Sequence, residues 1–320
     1  MCGRLYQDTD RDIHNTIMVA GTARSGTTWL ARTIASQLSC RLMFEPFHSG
    51  KVETFQAFDY FPYMRPWEQN EALWAYCRKV FTGDIRHSWI DRQVEHIFPR
   101  CRLVKEIRAN LFLGWLHNKF PEVPLLFVLR HPCAVVLSRM QLDWWTDKDI
   151  ESFLSQPKLV HDFLDGKMEV IKGAKTVEEK HAIIWSISNL VPLRHFQSSR
   201  LKVVFYEDLC LQPEKEIPRV FEAIGHSYHR SVFEKLGEPS ATATSSSAVI
   251  AGEDRVNRWK EALSSEQIRN ILSVVEAFEL DRIYSERATP ISRDLRSVFA
   301  SQCGAESHSC PVLKGRARPA

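Results

Sequence analysis

Residues 17–30 read IMVAGTARSGTTWL, and this stretch decides how the chain folds. Residues 17–20 are apolar and partly β-branched, which is typical of a buried parallel strand. Gly21 and Gly26 then predict a tight turn, and residues 30–38 place leucine and isoleucine at helical spacing. The sequence therefore predicts a strand, a glycine-containing turn and a helix in direct succession.

The turn carries groups that suit a bound phosphate or sulfate. The first N–H groups of a helix have no partner within the helix, and the helix dipole adds partial positive charge there. Thr27 and Thr28 supply hydroxyl groups, and Arg24 supplies a permanent cation. An ordinary nucleotide P-loop ends in Gly-Lys-Ser or Gly-Lys-Thr. Because Arg-Ser-Gly-Thr-Thr stands here instead, an anion site of another type is predicted.

Four further apolar segments read as strands that alternate with helices. They are residues 41–44, 102–107, 124–129 and 201–206. A helical pattern is also predicted over 67–97. This alternation predicts a three-layer α/β/α fold with a mostly parallel central sheet, of the P-loop nucleotide-binding type. Ligands of such sheets bind beyond the carboxyl ends of the strands.

A second candidate for anion binding follows the strand at 124–129. Arg130 comes directly after it, and Ser138 lies about two turns into the helix that Pro132 opens. Since arginine can hold an anion by two charge-assisted hydrogen bonds, the pair is predicted to grip one anion from two sides. A strand-end arginine is more often a surface ion-pair partner, and the first loop is what favours binding here.

Four motifs resemble one family. Residues 23–30 are similar to the phosphosulfate loop Pro-[Lys/Arg]-Ser-Gly-Thr-Thr-Trp-Leu of the sulfotransferases that use 3′-phosphoadenosine 5′-phosphosulfate (PAPS). Arg130 and Ser138 resemble the family's 3′-phosphate motif. Residues 203–209, VVFYEDL, resemble its strand ending in Tyr-Glu-Asp-Leu, and residues 255–260, RVNRWK, its C-terminal Arg/Trp segment. The resemblance implies a PAPS-dependent sulfotransferase, closest in motif to bacterial and carbohydrate-type members.

The resemblance also implies which residues bind PAPS. They are Arg24, Ser25, Gly26, Thr27, Thr28, Trp29, Arg130, Ser138, Tyr206, Arg255 and Arg258. Trp29 and Tyr206 would contact adenine, although each could equally be a packed core aromatic. Arg255 or Arg258 would replace the Arg-Lys-Gly triplet of cytosolic members, which is missing here.

Sulfuryl transfer needs a cation at the leaving oxygen and a base for the acceptor. Arg24 and Lys105 are the candidate cations. Glu45 is the first candidate base, because its Phe-Glu-Pro context resembles that of the carbohydrate enzymes. His48 is the second, since histidine is the usual base in small-molecule members. Glu106 is the third, with a structural salt bridge as the more ordinary interpretation.

The acceptor is expected to carry a hydroxyl or an amine, on a carbohydrate or another small molecule. Trp144 and Trp145 could line its pocket or pack in the core. Residues 240–252, rich in Ser, Thr and Ala, are predicted to form a loop around a ligand or a gate.

Two other functions stay open. One is a P-loop small-molecule kinase that uses ATP and magnesium, which the missing Gly-Lys-[Ser/Thr] opposes. The other is a non-catalytic nucleotide-binding scaffold, which the presence of Arg24, Glu45 and Lys105 opposes.

Composition and residue patterns bear on nucleic-acid binding, cellular compartment and metal binding. The chain has 320 residues and a net charge of +3, which argues against a dedicated nucleic-acid-binding protein. Eight scattered cysteines without a Cys-x-x-Cys pair favour a reducing compartment over a disulfide framework. No signal core or membrane span is visible, so a cytoplasmic location without a transmembrane anchor is expected. No recognised ligand pattern predicts a metal.

The expected organisation is one catalytic domain with two short flanks. Residues 1–14 read as a polar lead and residues 15–285 as the sulfotransferase domain. Residues 286–320 read as a polar tail that is partly disordered.

Overall fold

The computed structural model describes residues 5–144, 146–196, 201–235 and 254–300. Trp145 and the loop expected at 240–252 lie outside these ranges, as does the part of the expected tail beyond residue 300.

Five strands form one parallel sheet in the order β2-β3-β1-β4-β5. The strands are β1 (Thr16–Gly21), β2 (Cys40–Phe44), β3 (Cys101–Glu106), β4 (Leu125–Leu129) and β5 (Lys202–Phe205). The central strand is β1, where Val19 lies opposite Lys105 of β3 and Leu126 of β4. The expected parallel α/β sheet is confirmed.

Helices follow most of the strands. In chain order they are α1 (Thr27–Leu38), α2 (Glu71–Phe81), α3 (Leu113–Lys119), α4 (Pro132–Met140), α5 (Asp147–Leu154), α6 (Pro157–Leu159), α7 (Met168–Gly173), α8 (Val177–His195), α9 (Tyr206–Leu211), α10 (Pro213–Ala223), α11 (Val232–Lys235), α12 (Arg258–Ala262), α13 (Ser265–Ala277) and α14 (Leu295–Ala300). None of those in the described ranges combines the length and apolar character needed to cross a membrane.

Two hydrophobic cores lie on opposite faces of the sheet. Successive side chains of a strand point to opposite faces, and β1 shows this directly. Ile17 and Val19 pack in the core that contains α1, whereas Met18 and Ala20 pack in the larger core that contains α8. The layers are therefore helix, sheet and helix.

Residues 5–14 of the expected polar lead pack against the folded domain. Asp8 is buried and accepts hydrogen bonds from Arg41 of β2 and Arg102 of β3, each at 3.0 Å. Arg41 also pairs with Asp91 at 2.9 Å. Because both guanidinium groups are fully buried, their charges require these carboxylates. The contacts fasten the N-terminal segment to the amino ends of β2 and β3, opposite the ligand-binding edge.

The helix expected over 67–97 is confined to Glu71–Phe81. Gly83 follows with φ of +69°, and a Cβ there would lie 2.6 Å from Asp8 Oδ2. The Gly83 carbonyl accepts a hydrogen bond from Arg41 at 3.0 Å. The helix ends here because the chain must close over the buried arginines.

A disulfide joins Cys40 and Cys101, which are paired neighbours at the start of β2 and β3. The sequence favoured thiols over a disulfide framework without excluding disulfides; this pair is bonded, whereas Cys77 and Cys133 are buried thiols. Structural disulfides are typical of oxidising compartments, so this bond is unusual for the cytoplasmic location that the sequence suggested.

The first part of the expected tail packs on the domain. Val298 and Phe299 of α14 are buried in the larger core. Arg293 donates two hydrogen bonds to the Asp208 carboxylate, at 2.5 and 2.6 Å. Residues 286–300 therefore belong to the folded domain.

Candidate active site

A cavity of about 280 Å³ opens at the carboxyl edge of the sheet. Each strand contributes a lining residue at or just after its end: Arg24 follows β1, Glu45 follows β2, Lys105 lies in β3, Arg130 follows β4 and Tyr206 follows β5. This is the edge at which parallel α/β sheets bind ligands. The alternation of strands and helices thus brings together residues that lie up to 182 positions apart in the sequence.

The loop after β1 is closed by its own hydrogen bonds. Ser25 donates to the Thr22 carbonyl through its amide at 3.1 Å and through its hydroxyl at 2.5 Å. The Ser25 side chain is therefore fully buried and faces the loop interior. Gly26, with φ of +95°, precedes the first residue of α1, and a Cβ on it would lie 2.5 Å from the Tyr206 ring.

Hydrogen bonds join Arg24 to both Ser138 and Arg130, and Ser138, unlike the two arginines, does not line the cavity. Arg24 Nε donates to Ser138 Oγ at 2.9 Å, and Arg130 Nη1 donates to the Arg24 carbonyl at 3.0 Å. Arg130 Nε is buried and has no hydrogen-bond partner among the described residues. Burial and the charge of Arg130 both lower the pKa of Arg24. An anion in the cavity would relieve this repulsion.

Two aromatic side chains line the cavity next to this cluster. The Arg130 guanidinium lies 4.2 Å from the centre of the Tyr206 ring, and the Trp29 ring meets Tyr206 edge-on at 5.7 Å. Arg255 lies 5.8 Å from the Trp29 ring. Arg255 lines the cavity, whereas Arg258, at the start of α12, does not.

Glu45 lies between two cations. Its carboxylate accepts from Lys105 Nζ at 2.6 Å and from Arg108 Nη1 at 2.6 Å. Burial alone would raise the pKa of Glu45, but the charges of Lys105 and Arg108 lower it to about 2. Glu45 also has φ of +45°, a left-handed conformation that costs free energy in a non-glycine residue. Directly after β2, the fold therefore holds an ionised carboxylate on a residue whose backbone is strained.

Glu106, the third candidate base, has a different environment. It is fully buried and accepts the backbone N–H groups of Phe47, Ile107 and Arg108 at 2.7 to 2.9 Å. Its side chain does not line the cavity. These bonds fix the chain on both sides of the Glu45 cluster, which is a positioning role.

His48, the second candidate base, does not line the cavity either. Its ring packs edge-on against Tyr60 at 5.4 Å and Trp89 at 5.2 Å. Burial lowers the pKa of His48 to about 4, so the imidazole is neutral at physiological pH.

Two arginines that line the cavity are not among the site residues predicted from the sequence. Arg92 stacks between Phe44 and Trp89, 3.8 and 3.9 Å from the ring centres, and it was hidden by the expected helix over 67–97. Arg108 could have been predicted from the sequence, because it lies two residues after the end of β3, at the ligand-binding edge of the sheet.

Cationic groups dominate the cavity. Among the described residues, its lining contains six cations and a single carboxylate, Glu45; the cations are Arg24, Arg92, Lys105, Arg108, Arg130 and Arg255. No group of three or more His, Cys, Asp or Glu side chains in the described ranges could hold a metal ion. The arrangement suits an organic polyanion.

Comparison with known families decides the class. A model described as the sulfotransferase family matches residues 16–230. The chain belongs to the sulfotransferase family. Membership makes this sulfotransferase a transferase that moves a sulfuryl group to an acceptor, and the match contains the loop after β1, Glu45, Lys105 and Arg130.

Individual relatives are distant. The sulfotransferase is 24% identical to nodulation protein NoeE of Sinorhizobium fredii over 295 residues, 86% of this chain and 67% of NoeE. It resembles the sulfotransferase domain of the Synechococcus PCC 7002 olefin synthase with 15% identity and a TM-score of 0.45, covering 86% of this chain and 98% of that domain. It resembles mouse sulfotransferase SULT7A1, solved with PAP, with 13% identity and a TM-score of 0.42, covering 92% and 91%.

Proposed function

We propose that this sulfotransferase takes its sulfuryl group from PAPS and passes it to a hydroxyl of the acceptor, releasing adenosine 3′,5′-bisphosphate. The observation that carries the proposal is the cavity lining of six cations and one carboxylate at the start of α1. A nucleotide with a phosphosulfate at one end and a phosphate at the other matches this excess of positive charge.

The phosphosulfate would bind at the loop after β1. Backbone N–H groups at the start of α1 and the hydroxyls of Thr27 and Thr28 point to this role, and Arg24 adds a cation. Gly26 lets the backbone approach closely, because its lack of a Cβ leaves room for Tyr206. Ser25 would act by closing the loop through Thr22.

The 3′-phosphate would bind at Arg130. The unpartnered, buried Nε of Arg130 supports this role, since an anion would supply the missing hydrogen bond. Ser138 does not line the cavity and would act through Arg24, whose Nε it holds by a hydrogen bond. Trp29 and Tyr206 would contact the adenine ring. Arg255 is assigned to the nucleotide in preference to Arg258, because only Arg255 lines the cavity.

In the transfer step the acceptor oxygen bonds to sulfur while the bond from sulfur to the bridging oxygen breaks. The electron pair of that bond leaves with the 5′-phosphate, and Lys105 would neutralise the charge that develops there. Glu45 takes the proton of the hydroxyl. A carboxylate with a pKa of about 2 is a weak base. We therefore propose that Lys105 turns from Glu45 to the leaving oxygen, which restores the basicity of Glu45, while Arg108 keeps the carboxylate in place.

Glu45→Gln tests the assignment of the base. Labelled PAPS and a panel of phenols, alcohols and sugars give the turnover. We expect kcat to fall by about 10²-fold or more, with little change in the affinity for adenosine 3′,5′-bisphosphate. Glu122→Gln is the matched control, because Glu122 is exposed. Full turnover in Glu45→Gln would remove Glu45 as the base.

A further inference from the structure

A second cavity, of about 460 Å³, opens beside the first. Ala23, Ile107, Arg108 and Trp144 line both cavities. Arg108 also donates to Glu45 at 2.6 Å, so the carboxylate proposed as base lies at the junction. The volume is within the range of about 300–1,000 Å³ that binds small organic molecules. A molecule seated here can present one atom to Glu45.

The walls of the second cavity are mainly apolar. Phe61 and Ile107 form one part, and Ile184 of α8 and Trp144 form another. Three hydroxyl-bearing side chains also face it: Thr22, Tyr60 and Ser188 of α8. Thr22 is hydrogen-bonded to Asn189 at 3.3 Å, and the Tyr60 hydroxyl accepts from Arg108 at 2.6 Å. The surface offers area for hydrophobic contact and few polar partners.

Charges at the second cavity are compensated within the described residues. Arg139 donates to Asp149 at 2.9 Å and to Nδ1 of His181 at 3.0 Å. Burial lowers the pKa of His181 to about 3, so that ring is neutral. Lys148 is exposed. An acceptor therefore needs no charge of its own to bind here.

We propose that the second cavity binds the body of the acceptor, and that the acceptor is an uncharged phenol or alcohol with an apolar skeleton. The inference rests on the proposed function, because it places the hydroxyl at Glu45. A polyhydroxylated sugar would lose hydrogen bonds to water against walls that offer few replacements. An aryl or alkyl skeleton gains free energy from burial on the same walls.

Calorimetric titration tests this with the full chain saturated by adenosine 3′,5′-bisphosphate. The probes are phenol, 4-ethylphenol, 4-butylphenol and 4-hexylphenol, with maltotriose as the polar comparison. We expect the dissociation constant to fall about four-fold for each methylene that enters the cavity. Maltotriose should not bind. With PAPS as donor, the values of kcat/KM should follow the same order.

Ser188→Leu is the decisive variant, because it places an apolar side chain inside the cavity. It should weaken 4-butylphenol binding about ten-fold or more and leave binding of the bisphosphate within about two-fold. Ser273→Leu, at an exposed position of α13, is the matched control. If Ser188→Leu does not fold, Phe61→Ala replaces it. That variant enlarges the cavity and should move the best alkyl chain to a greater length.

Three results would overturn the inference while the bisphosphate still binds. They are affinities that do not depend on alkyl length, unchanged phenol binding in Ser188→Leu, and binding or turnover of maltotriose in preference to the phenols. Failure of the wild-type protein to bind the bisphosphate would instead contradict the proposed function.

Discussion

Replacing Gly26 by alanine tests whether the loop after β1 depends on close approach to Tyr206. The backbone at Gly26 has φ of +95°, which costs an L-residue about 1–2 kcal/mol. The new Cβ would lie 2.5 Å from Cδ2 and 2.8 Å from Cε2 of Tyr206. Tyr206 is buried between Arg130 and Trp29. Since the ring cannot move freely, overpacking adds about 1–3 kcal/mol.

The free energy of unfolding of Gly26→Ala should therefore fall by about 2–5 kcal/mol, and binding of adenosine 3′,5′-bisphosphate should weaken. Denaturant unfolding and calorimetric titration measure the two effects. Gly225→Ala carries the backbone cost alone, since Gly225 has φ of +72° and no atom within 4 Å of the added Cβ. Gly166→Ala carries neither cost. Equal losses in Gly26→Ala and Gly225→Ala, with unchanged binding, would refute the reasoning.

Two further predictions concern buried acids. Asp8→Asn removes the charge that pairs with Arg41 and Arg102, and it should lower the free energy of unfolding by about 3–5 kcal/mol in denaturant titration. Burial raises the pKa of Glu207 to about 7, so the folded state holds a proton that the unfolded state has lost above pH 4.5. This group's contribution to stability therefore falls as pH rises from about 5 to 8. In Glu207→Gln the loss of unfolding free energy between about pH 5 and pH 8 should be smaller than in the wild type by up to about 3 kcal/mol. Denaturant unfolding at the two pH values measures this difference.

The Asp8 prediction has a matched control. Asp84→Asn replaces an exposed aspartate and should change the free energy of unfolding by less than about 0.5 kcal/mol. A comparably small loss in Asp8→Asn would contradict the interpretation of the buried ion pairs. If the stability of Glu207→Gln depends on pH as strongly as that of the wild type, another group causes the pH dependence.

The sheet could be predicted because its signals are local. Each strand is a short apolar run, and the loop after β1 and Arg130 lie directly at strand ends. Arg24 and Arg130 lie close together because both follow strand ends at the same edge of the parallel sheet. The capping box of Thr176 and Glu179, which begins α8, is an equally local signal.

What could not be predicted depends on partners that are distant in the sequence. Asp8 reads as part of a polar lead until Arg41 and Arg102 are placed beside it. Arg92 reaches the cavity because the chain turns at Gly83, after the end of α2, and then packs Arg92 against the Phe44 ring. The sequence already favoured Glu45 as the candidate base, but the finding that His48 and Glu106 do not line the cavity needed the three-dimensional arrangement.

The central claim is that the cationic cavity binds the PAPS nucleotide through Arg130. Calorimetric titration with adenosine 3′,5′-bisphosphate tests it most directly, with ADP and magnesium as the comparison ligand. We predict binding of one bisphosphate per chain, tighter than that of ADP, and a loss of about 10- to 100-fold in Arg130→Ala, since a hydrogen bond to a charged group contributes about 1.5–3 kcal/mol. Binding of ADP as tight as that of the bisphosphate, or an unchanged affinity in Arg130→Ala, would contradict the claim.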